Sequence, residues 1–324
     1  MRTAAGETSL REWLGRIGNG ISDVGTNQLM IPPQLLSPTL EDAIQFCFPE
    51  ALFSDPLENA DAIANNAVLC PTNNDVQYIN ELALTRMSGD AKDFPSIDEP
   101  LEPNDEFHNF RTDFNIEAVH NEMPSGMPPH KLFLKVGTPI MLIRNLDVTQ
   151  GLCNGTRLQV MRMAEDSLFC RILTGPRADA GHVVVLPRIQ FEYGRGRHHR
   201  GLRFRRLQFP IRPCFAMTIN KAQGQTLQRM ALVLNGKQCF SHGQVYVAMS
   251  RVTHMDGIRV FAPYCQNDCV GSHNPVGTGE QASLVQVDTT PIRHLNLAFN
   301  EFGVGTSANA PENNDDVNSD DYFD

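Results

Sequence analysis

The stretch AVLCPTNNDVQYINELALTRM, residues 67–87, indicates the fold class of this chain. Its apolar run at 67–70 has the length of a short buried strand, and the polar sequence after it carries Val76 and Ile79 at helical spacing. A strand that leads directly into an amphipathic helix, here over roughly 74–87, forms a βα unit. Repeated units of this kind are typical of α/β proteins with a parallel sheet.

Similar elements return between residues 213 and 262. An apolar strand over 213–219 is followed by the polar turn of AMTINKAQGQTL, residues 216–227. Further predicted elements are a strand at 230–234, a helix at 242–251 and a strand at 257–262. Together with the first unit they predict one α/β domain whose two parts are separated in sequence.

The sequence between these two parts has the pattern of an all-β insertion. Short apolar strands alternate with turn residues over about 132–207, and Asn154-Gly155 is a strong tight-turn signal. The strand after this turn alternates Arg157 and Gln159 with apolar residues, which describes a half-buried strand. These features predict a small antiparallel β-barrel.

Two long polar segments lie outside these elements. Residues 90–130 are rich in Pro, Asp, Glu and Asn and predict a long surface excursion. Residues 266–324 lose apolar periodicity and end in PENNDDVNSDDYFD, which predicts a largely disordered, acidic tail. Cys265, Cys269 and His273 could act as zinc ligands in an interaction module, which is a further alternative. Their spacing matches no standard zinc site, so no metal site is predicted.

The composition excludes several classes of protein. The 324 residues are 41% hydrophobic and 20% charged, which excludes a fibrous or wholly disordered chain. No stretch approaches the roughly 18 uninterrupted apolar residues of a membrane span, and the N-terminal sequence lacks the apolar core of a secretory signal. The eight cysteines lie mostly in apolar runs, which is typical of reduced thiols and favours a nuclear or cytosolic protein.

The net charge of −10 hides a basic middle segment. Residues 1–129 carry 6 Lys and Arg against 21 Asp and Glu, residues 130–265 carry 20 against 6, and residues 266–324 carry 1 against 10. Within the middle segment, residues 188–212 hold eight arginines and four aromatic residues, a pattern that suits phosphate neutralisation and base stacking. A solvated hairpin that balances acidic neighbours is the alternative. The arginines that we predict to contact single-stranded DNA are Arg203, Arg205 and Arg206.

The polar turn of residues 216–227 carries the first candidate site. A buried strand there would deliver Thr218, Asn220 and Lys221 to its carboxyl end, where open α/β sheets bind ligands. The residues of the turn that follows are Gln223, Gly224 and Gln225. A glycine in such a turn permits close approach of a phosphate to the backbone. An ordinary strand-to-helix turn would have the same spacing.

Arg251 is the second candidate. In HGQVYVAMSRVT, residues 242–253, it stands at the end of the predicted helix. An arginine at this place can stabilise the C-terminus of the helix, or it can act as an arginine finger on a phosphoryl group in transfer. Spacing does not separate the two roles.

Together these stretches closely resemble the C-terminal half of the petite-integration-frequency (PIF-type) 5′→3′ DNA helicases, including the branch carried by Helitron transposons. The resemblance covers about residues 10–263, and four motifs occur in the order of the family. REWLGRIGNG (11–20) resembles the segment after the third helicase motif. LCPTNNDVQYIN (69–80) resembles the fourth motif, AMTINKAQGQTL (216–227) resembles the fifth, and VYVAMSRVT (245–253) resembles the sixth.

The resemblance implies an α/β fold, namely the second RecA-like motor domain of a helicase with an inserted small antiparallel barrel of the Src-homology-3 type. Residues 1–131 and 208–265 would form the motor domain, 132–207 the barrel and 266–324 the acidic tail. ATP and Mg²⁺ would be the cofactors, and single-stranded DNA would be the partner. The implied roles are DNA repair, DNA recombination, telomere maintenance or Helitron transposition.

The resemblance also implies roles for single residues. Arg251 would reach the γ-phosphate of ATP. The residues implied at the nucleotide cleft are Gln223, Gly224 and Gln225. The residues implied to face DNA are Thr72, Asn73, Thr218, Asn220 and Lys221. Many members have His where Asn220 stands and Ser where Ala222 stands, so the contacts of these two positions differ from the family pattern.

One half of an ATP site is missing from the sequence. No Gly-x₄-Gly-Lys-Ser/Thr occurs, since the Gly236-Lys237 pair is followed by Gln238. Asp98-Glu99, the pair that could mimic magnesium-holding acids, lies in a polar loop with no preceding apolar strand. The chain is therefore expected to be half a motor, from a truncated gene, a gene-model fragment or a decayed transposon, and inactive without an N-terminal motor domain. A non-catalytic remnant that binds single-stranded DNA is the alternative.

Overall fold

The computed structural model describes residues 4, 6–19, 28–101, 116–121, 124, 126–175, 181–194, 203–234, 243–263 and 283–286. Its helices are α1 (Thr8–Gly18), α2 (Leu40–Cys47), α3 (Glu50–Ser54), α4 (Ala60–Ala64), α5 (Asn73–Arg86), α6 (Ile116–Asn121) and α7 (Gln244–Met249). Its strands are β1 (Gln28–Ile31), β2 (Asn66–Cys70), β3 (Lys92–Pro95), β4 (Ile97–Pro100), β5 (Lys131–Leu134), β6 (Pro139–Leu142), β7 (Arg157–Met163), β8 (Ser167–Ile172), β9 (Val183–Pro187), β10 (Ile189–Tyr193), β11 (Phe204–Gln208), β12 (Ile211–Pro213), β13 (Ala216–Thr218), β14 (Arg229–Val233), β15 (Ile258–Phe261) and β16 (Ser283–Gln286). Within the described ranges, no helix has both the length and the apolar character that crossing a lipid bilayer requires.

A four-stranded parallel sheet forms the centre of the α/β part. Its order is β13-β2-β14-β15, and every pair in it is parallel. Ala67 and Leu69 point into a core shared with α1 and α7, whereas Val68 and Cys70 point into a core shared with α2 to α5. Helices thus cover both faces, which is why β2 is buried along its whole length. We call the described residues of 8–88 and 214–263 the parallel domain.

The elements predicted for this domain are confirmed with small shifts at their ends. The strand predicted at 67–70 is β2, and the helix predicted at 74–87 is α5. The strands predicted at 230–234 and 257–262 are β14 and β15. The helix predicted at 242–251 is the shorter α7, which ends just before Arg251.

The chain between α5 and β13 forms antiparallel sheets, which we call the antiparallel module (Lys92–Pro213). Five strands pair in the order β12-β6-β7-β8-β9, β3 pairs with β5, and β10, β11 and β4 form a third sheet. The first two sheets share one apolar core, to which Phe94, Leu134, Leu158 and Phe209 belong. The described strands form no closed hydrogen-bonded ring, so the barrel topology stays a prediction.

The module is larger than the predicted 132–207, and the segment 90–130 is more than a surface excursion. It contains β3 and β4, which pair with β5 and β11. Phe94 in β3 is 1% exposed and anchors its strand in the module core. At the other end β12 pairs with β6, so the module also includes residues that were predicted to belong to the motor domain. Asp98-Glu99 consequently lies in a strand and not in the predicted loop.

The first four residues of β7 (157–160) are buried on both faces, which corrects the half-buried strand predicted there. Leu158 and Val160 face the apolar core of the module. Arg157 and Gln159 are both fully buried as well, and their side chains donate hydrogen bonds to main-chain carbonyls of the parallel domain. The polar side of the strand therefore faces protein and not water.

The segment 266–324 is described only at Ser283–Gln286, where β16 pairs antiparallel with β1. For these four residues the structure replaces the predicted irregular tail by a strand. The remainder of the predicted acidic tail lies outside the described residues. The same holds for Gly236-Lys237 and for the cysteine–histidine group at 265–273.

Candidate nucleotide and nucleic-acid site

The candidate site is built at the carboxyl end of β13. A 3-10 turn over Ile219–Ala222 follows this strand, and Ile219 and Ala222 are fully buried in the core beneath it. Because these two side chains point inward, Asn220 and Lys221 between them point outward and are exposed. The Lys221 ammonium donates to the side-chain oxygen of Asn154 at 3.1 Å, which links the turn to the antiparallel module.

The next turn, Gln223–Gln225, has the backbone that its glycine predicts. Gly224 has a φ of +83°, a conformation that favours glycine, and a Cβ placed there would have no atom of the described part of the chain within 4 Å. The turn is closed by the Gln225 amide, which donates to the carbonyl of Ala222 at 3.1 Å. The backbone of this turn therefore depends on the absence of a side chain at residue 224.

Arg251 lies beside this turn and also at the end of α7. Its Nε donates to the Val247 carbonyl at 2.7 Å, which satisfies one of the last carbonyls of the helix. Its Nη1 lies 3.5 Å from the carbonyl oxygens of both Ala222 and Gln225. The structure therefore brings the predicted finger and the predicted nucleotide turn together, and it also supports the helix-stabilising role of the arginine.

The fourth-motif residues lie at the same edge of the sheet. β2 and β13 are neighbouring parallel strands in which Cys70 is opposite Thr218, so their carboxyl ends meet side by side. Asn73 is exposed there. Thr72 caps α5: its hydroxyl oxygen accepts from the Asp75 amide at 3.2 Å and its hydroxyl also bonds the Asp75 carboxylate. Capping already uses the Thr72 hydroxyl that was predicted to contact DNA.

The three arginines predicted to contact DNA differ in their surroundings. Arg206 is 0% exposed, and its guanidinium bonds both oxygens of the Asp98 carboxylate at 2.9 and 2.8 Å. A fully enclosed guanidinium has no surface for a phosphate, so the structure corrects the contact predicted for Arg206. Arg205 is partly exposed and pairs with Glu192 at 3.6 Å. Arg203 is half-buried.

No local sequence pattern indicates the polar cluster around Asp98. Ser96 donates to the Asp98 carboxylate at 2.7 Å, and the rings of His120 and His130 stack with centroids 3.5 Å apart. Burial alone would raise the pKa of Asp98, but the hydrogen bonds from Arg206 and Ser96 outweigh it and lower that pKa. The pairing of β4 with β11, which lie about a hundred residues apart in the chain, brings Arg206 to Asp98. The pairing of β3 with β5 brings His130 to Ser96.

Asp98, His120 and His130 offer ligand atoms within 4.8 Å of one another, yet their geometry does not suit a metal ion. A metal lies in the plane of each imidazole that binds it, and here the two rings are nearly parallel at 11°. One ion therefore cannot lie in both planes. The Asp98 oxygens are already bonded to Arg206, and the His130 Nδ1 lies 2.8 Å from the Ser96 hydroxyl.

This cluster predicts a loss of stability on acidification. Burial, with a further contribution from the neighbouring His120, lowers the pKa of His130 below its ordinary value of 6.5. The unfolded chain therefore takes up a proton at a higher pH than the folded chain, so stability falls as the pH drops through about 6.5 and below. We expect the melting temperature to fall over the same range.

The variant His130→Gln should show less of this drop, while the exposed His182 offers a matched control in His182→Gln. Calorimetry at a series of pH values measures the effect. Equal pH dependence in wild type and His130→Gln would contradict the assignment.

Two regions of the chain match models of known protein families. Residues 123–163 match the family model described as the 2B domain of DNA helicase Pif1, and residues 207–266 match a family model described as helicase. The first match lies within the antiparallel module. The second spans β12 to β15 and includes the turn at Gly224 and Arg251.

Curated relatives extend these matches. The chain is 28% identical over 193 residues to the ATP-dependent DNA helicase PIF1 of Xenopus laevis, which covers 59% of this chain and 27% of the relative. It is 30% identical over 193 residues to the protein of the same name from Danio rerio, covering 59% of this chain and 26% of the relative. The chain therefore spans about a quarter of the length of these relatives.

A solved structure shares the fold. The crystal structure of Pif1 helicase from Candida albicans covers 79% of this chain and 54% of its own, with 21% identity and a TM-score of 0.51. At this identity the likeness concerns the fold alone.

Proposed function

We propose that this chain, which carries the 2B domain and the C-terminal helicase region of a Pif1-family DNA helicase, supplies one wall of the ATP site and part of the DNA track of a 5′→3′ unwinding motor. The observation that carries the proposal is the contact between Arg251 and the Ala222–Gln225 turn. The curated relatives are themselves named as ATP-dependent DNA helicases.

ATP would meet this wall with its phosphates. In the proposal the exposed turn at Gly224 lies against the nucleotide, and Arg251 exchanges its long carbonyl contacts for the γ-phosphate, where its charge stabilises the transition state. Magnesium supplies charge neutralisation on the phosphates when it is bound. Because Asp98 is held by Arg206, the acids for Mg²⁺, like the phosphate-binding loop, would come from a first motor domain.

Single-stranded DNA would follow the edge formed by the ends of β2 and β13. This edge exposes Asn73, Asn220 and Lys221, and Thr218 ends the strand between them. Lys221 is placed for a phosphate contact, since the turn beneath it is anchored by Ile219 and Ala222 in the core. Arg203 and Arg205 on the antiparallel module would add phosphate contacts that position DNA without reading its sequence.

The biological setting proposed is nuclear. The resemblance of the motifs to the Helitron branch favours transposition, beside repair, recombination and telomere maintenance, as the process served. A non-catalytic role in binding single-stranded DNA is the second candidate, because the 324 residues contain no phosphate-binding loop.

The DNA track predicts salt-dependent binding. Fluorescence titrations with labelled single-stranded DNA should show affinity that falls steeply as salt rises, because phosphate contacts release counterions. Lys221→Ala should lower affinity alike for all sequences and reduce the slope of log affinity against log salt by about 0.7, the value of one phosphate contact on a single strand.

Lys92→Ala provides the control, since Lys92 lies in β3 with its ammonium 5.2 Å from the centre of the Phe94 ring. Wild-type protein that does not bind at low salt, or whose binding ignores salt, would refute the proposed track. An unchanged slope in Lys221→Ala would remove that lysine from it.

A further inference from the structure

Several polar side chains of the antiparallel module donate to the main chain of the parallel domain. Gln159 donates to the Pro56 carbonyl at 2.6 Å, Arg171 to the Leu57 carbonyl at 2.7 Å, and Lys135 to the Met87 carbonyl at 2.7 Å. Every one of these donors is in the module, and every one of these acceptors is a main-chain carbonyl. The contact therefore depends on backbone position and not on acidic side chains.

Arg157 lies at the centre of this joint. Its side chain is 0% exposed, yet it carries a charge. Among the described residues its guanidinium is met by four main-chain carbonyls, with no carboxylate in hydrogen-bond range. The acceptors are the carbonyls of Ile63 at 3.3 Å, Asn66 at 3.2 Å, Cys214 at 3.2 Å, and Ala64.

The four carbonyls that accept from Arg157 lie at or next to the ends of secondary-structure elements. Ile63 and Ala64 end α4, where the last carbonyls of a helix lack partners within the helix. Asn66 begins β2, and Cys214 lies two residues before β13. One guanidinium therefore holds the starts of the two strands whose other ends carry the candidate DNA edge.

The same stretch of the module also contacts the far end of β13. Asn154, three residues before Arg157, accepts the hydrogen bond from Lys221. The segment 154–157 thus touches both the start and the end of the fifth-motif strand.

We propose that Arg157 is a positioning residue that fixes the antiparallel module on the parallel domain, so that the module and the edge at Asn220 and Lys221 act on one DNA strand as a single rigid surface. The DNA part of this inference rests on the proposed function. The carbonyls are arranged around the planar guanidinium of Arg157. In Arg157→Lys a single ammonium replaces it, so the contact between the module and the parallel domain is weaker. A methionine leaves the carbonyls without partners.

The test of rigidity needs no DNA. Spin labels are placed at the exposed positions Glu165, in the module, and Gln77, in α5, as unnatural amino acids that leave the cysteines untouched. Pulsed electron resonance then gives the distance distribution. We expect one narrow distance in the wild type, an intermediate width in Arg157→Lys and a broad distribution in Arg157→Met.

Arg162→Met is the matched control, because Arg162 is in the same strand but is exposed and stacks 3.8 Å from the centre of the Phe169 ring. It should keep the wild-type distance. A broad distribution in the wild type overturns the inference even if Arg157→Met fails to fold, and so does a narrow, unchanged distance in folded Arg157→Met or Arg157→Lys.

The coupling to DNA is measured with oligonucleotides of about 8 and about 30 nucleotides. The longer strand can contact both rigidly held surfaces at once, so it should bind more tightly than the shorter strand. We expect Arg157→Met, or Arg157→Lys in its place, to reduce this difference in affinity about tenfold. The affinity for the shorter strand should not change. An undiminished difference in affinity in a variant with a broadened distance overturns the coupling. Absence of all DNA binding in the wild type refutes the proposed function instead, and the distance result stands apart from it.

Discussion

Fusion of this chain behind a motor domain that supplies a phosphate-binding loop and metal-holding acids is expected to give DNA-stimulated ATP hydrolysis, and Arg251→Ala is expected to lower it about 10³-fold or more. The reason is the place of the guanidinium beside the Ala222 and Gln225 carbonyls, at the wall that the nucleotide would meet. Removal of an arginine finger acts on the transition state, so the turnover rate should fall.

Arg251 also supports α7, so stability must be measured beside hydrolysis. Its bond to the Val247 carbonyl would be lost with the side chain, at a cost of about 1 kcal/mol. Arg251→Lys keeps a positive charge and can keep one carbonyl bond, but it lacks the planar fork, so hydrolysis should still be lost. Arg259→Ala is the control, because Arg259 stacks on Phe46.

Two outcomes would contradict this prediction. Hydrolysis in a folded Arg251→Ala fusion at the wild-type rate would remove the arginine from the reaction. Hydrolysis by the unfused chain, stimulated by DNA, would show that the chain does not need a second wall.

The parallel domain could be predicted because its signals are local. The apolar run of β2 is followed at once by the Thr72 cap and the helical spacing of α5, so strand, turn and helix all appear within 21 residues. The glycine at position 224 likewise indicates a turn, and the structure has a positive φ there. Information of this kind lies in neighbouring residues, and a single sequence contains it.

The antiparallel module was harder because its polar residues face protein. Arg157 and Gln159 alternate with apolar residues and so have the pattern of a half-buried strand, but their side of β7 is covered by the parallel domain. Asp98 stands in a polar stretch that has the composition of a loop, and its partner Arg206 is 108 residues away. Burial of this kind depends on pairing that no local pattern shows.

The charge of the middle segment includes arginines that do not lie at the surface. Arg157 and Arg206 are both fully buried. Arg212 also turns inward and donates to the Pro124 carbonyl at 3.3 Å. The basic surface available to DNA is therefore smaller than the segment charge indicates.

The buried pair of Arg206 and Asp98 gives the second large effect that we expect. Arg206→Met should lower the free energy of unfolding by about 3–5 kcal/mol, because it leaves the Asp98 carboxylate enclosed without its counter-charge. The guanidinium also donates to the Pro128 and Val119 carbonyls at 3.0 and 2.8 Å, and these acceptors would lose their partner too. Urea unfolding followed by circular dichroism measures the change.

Removing both partners separates the charge from the packing. The double variant Arg206→Met with Asp98→Asn should recover more than half of the loss, since a neutral amide is far less costly to enclose than an unpaired carboxylate. Arg205→Met is the control on the next residue: its pairs with Glu192 and Glu99 are partly exposed, so it should cost less than about 1 kcal/mol. A cost for Arg206→Met as small as that of Arg205→Met would mean that water reaches Asp98, and Arg206 would then again be available for the DNA contact that the buried pair denies it.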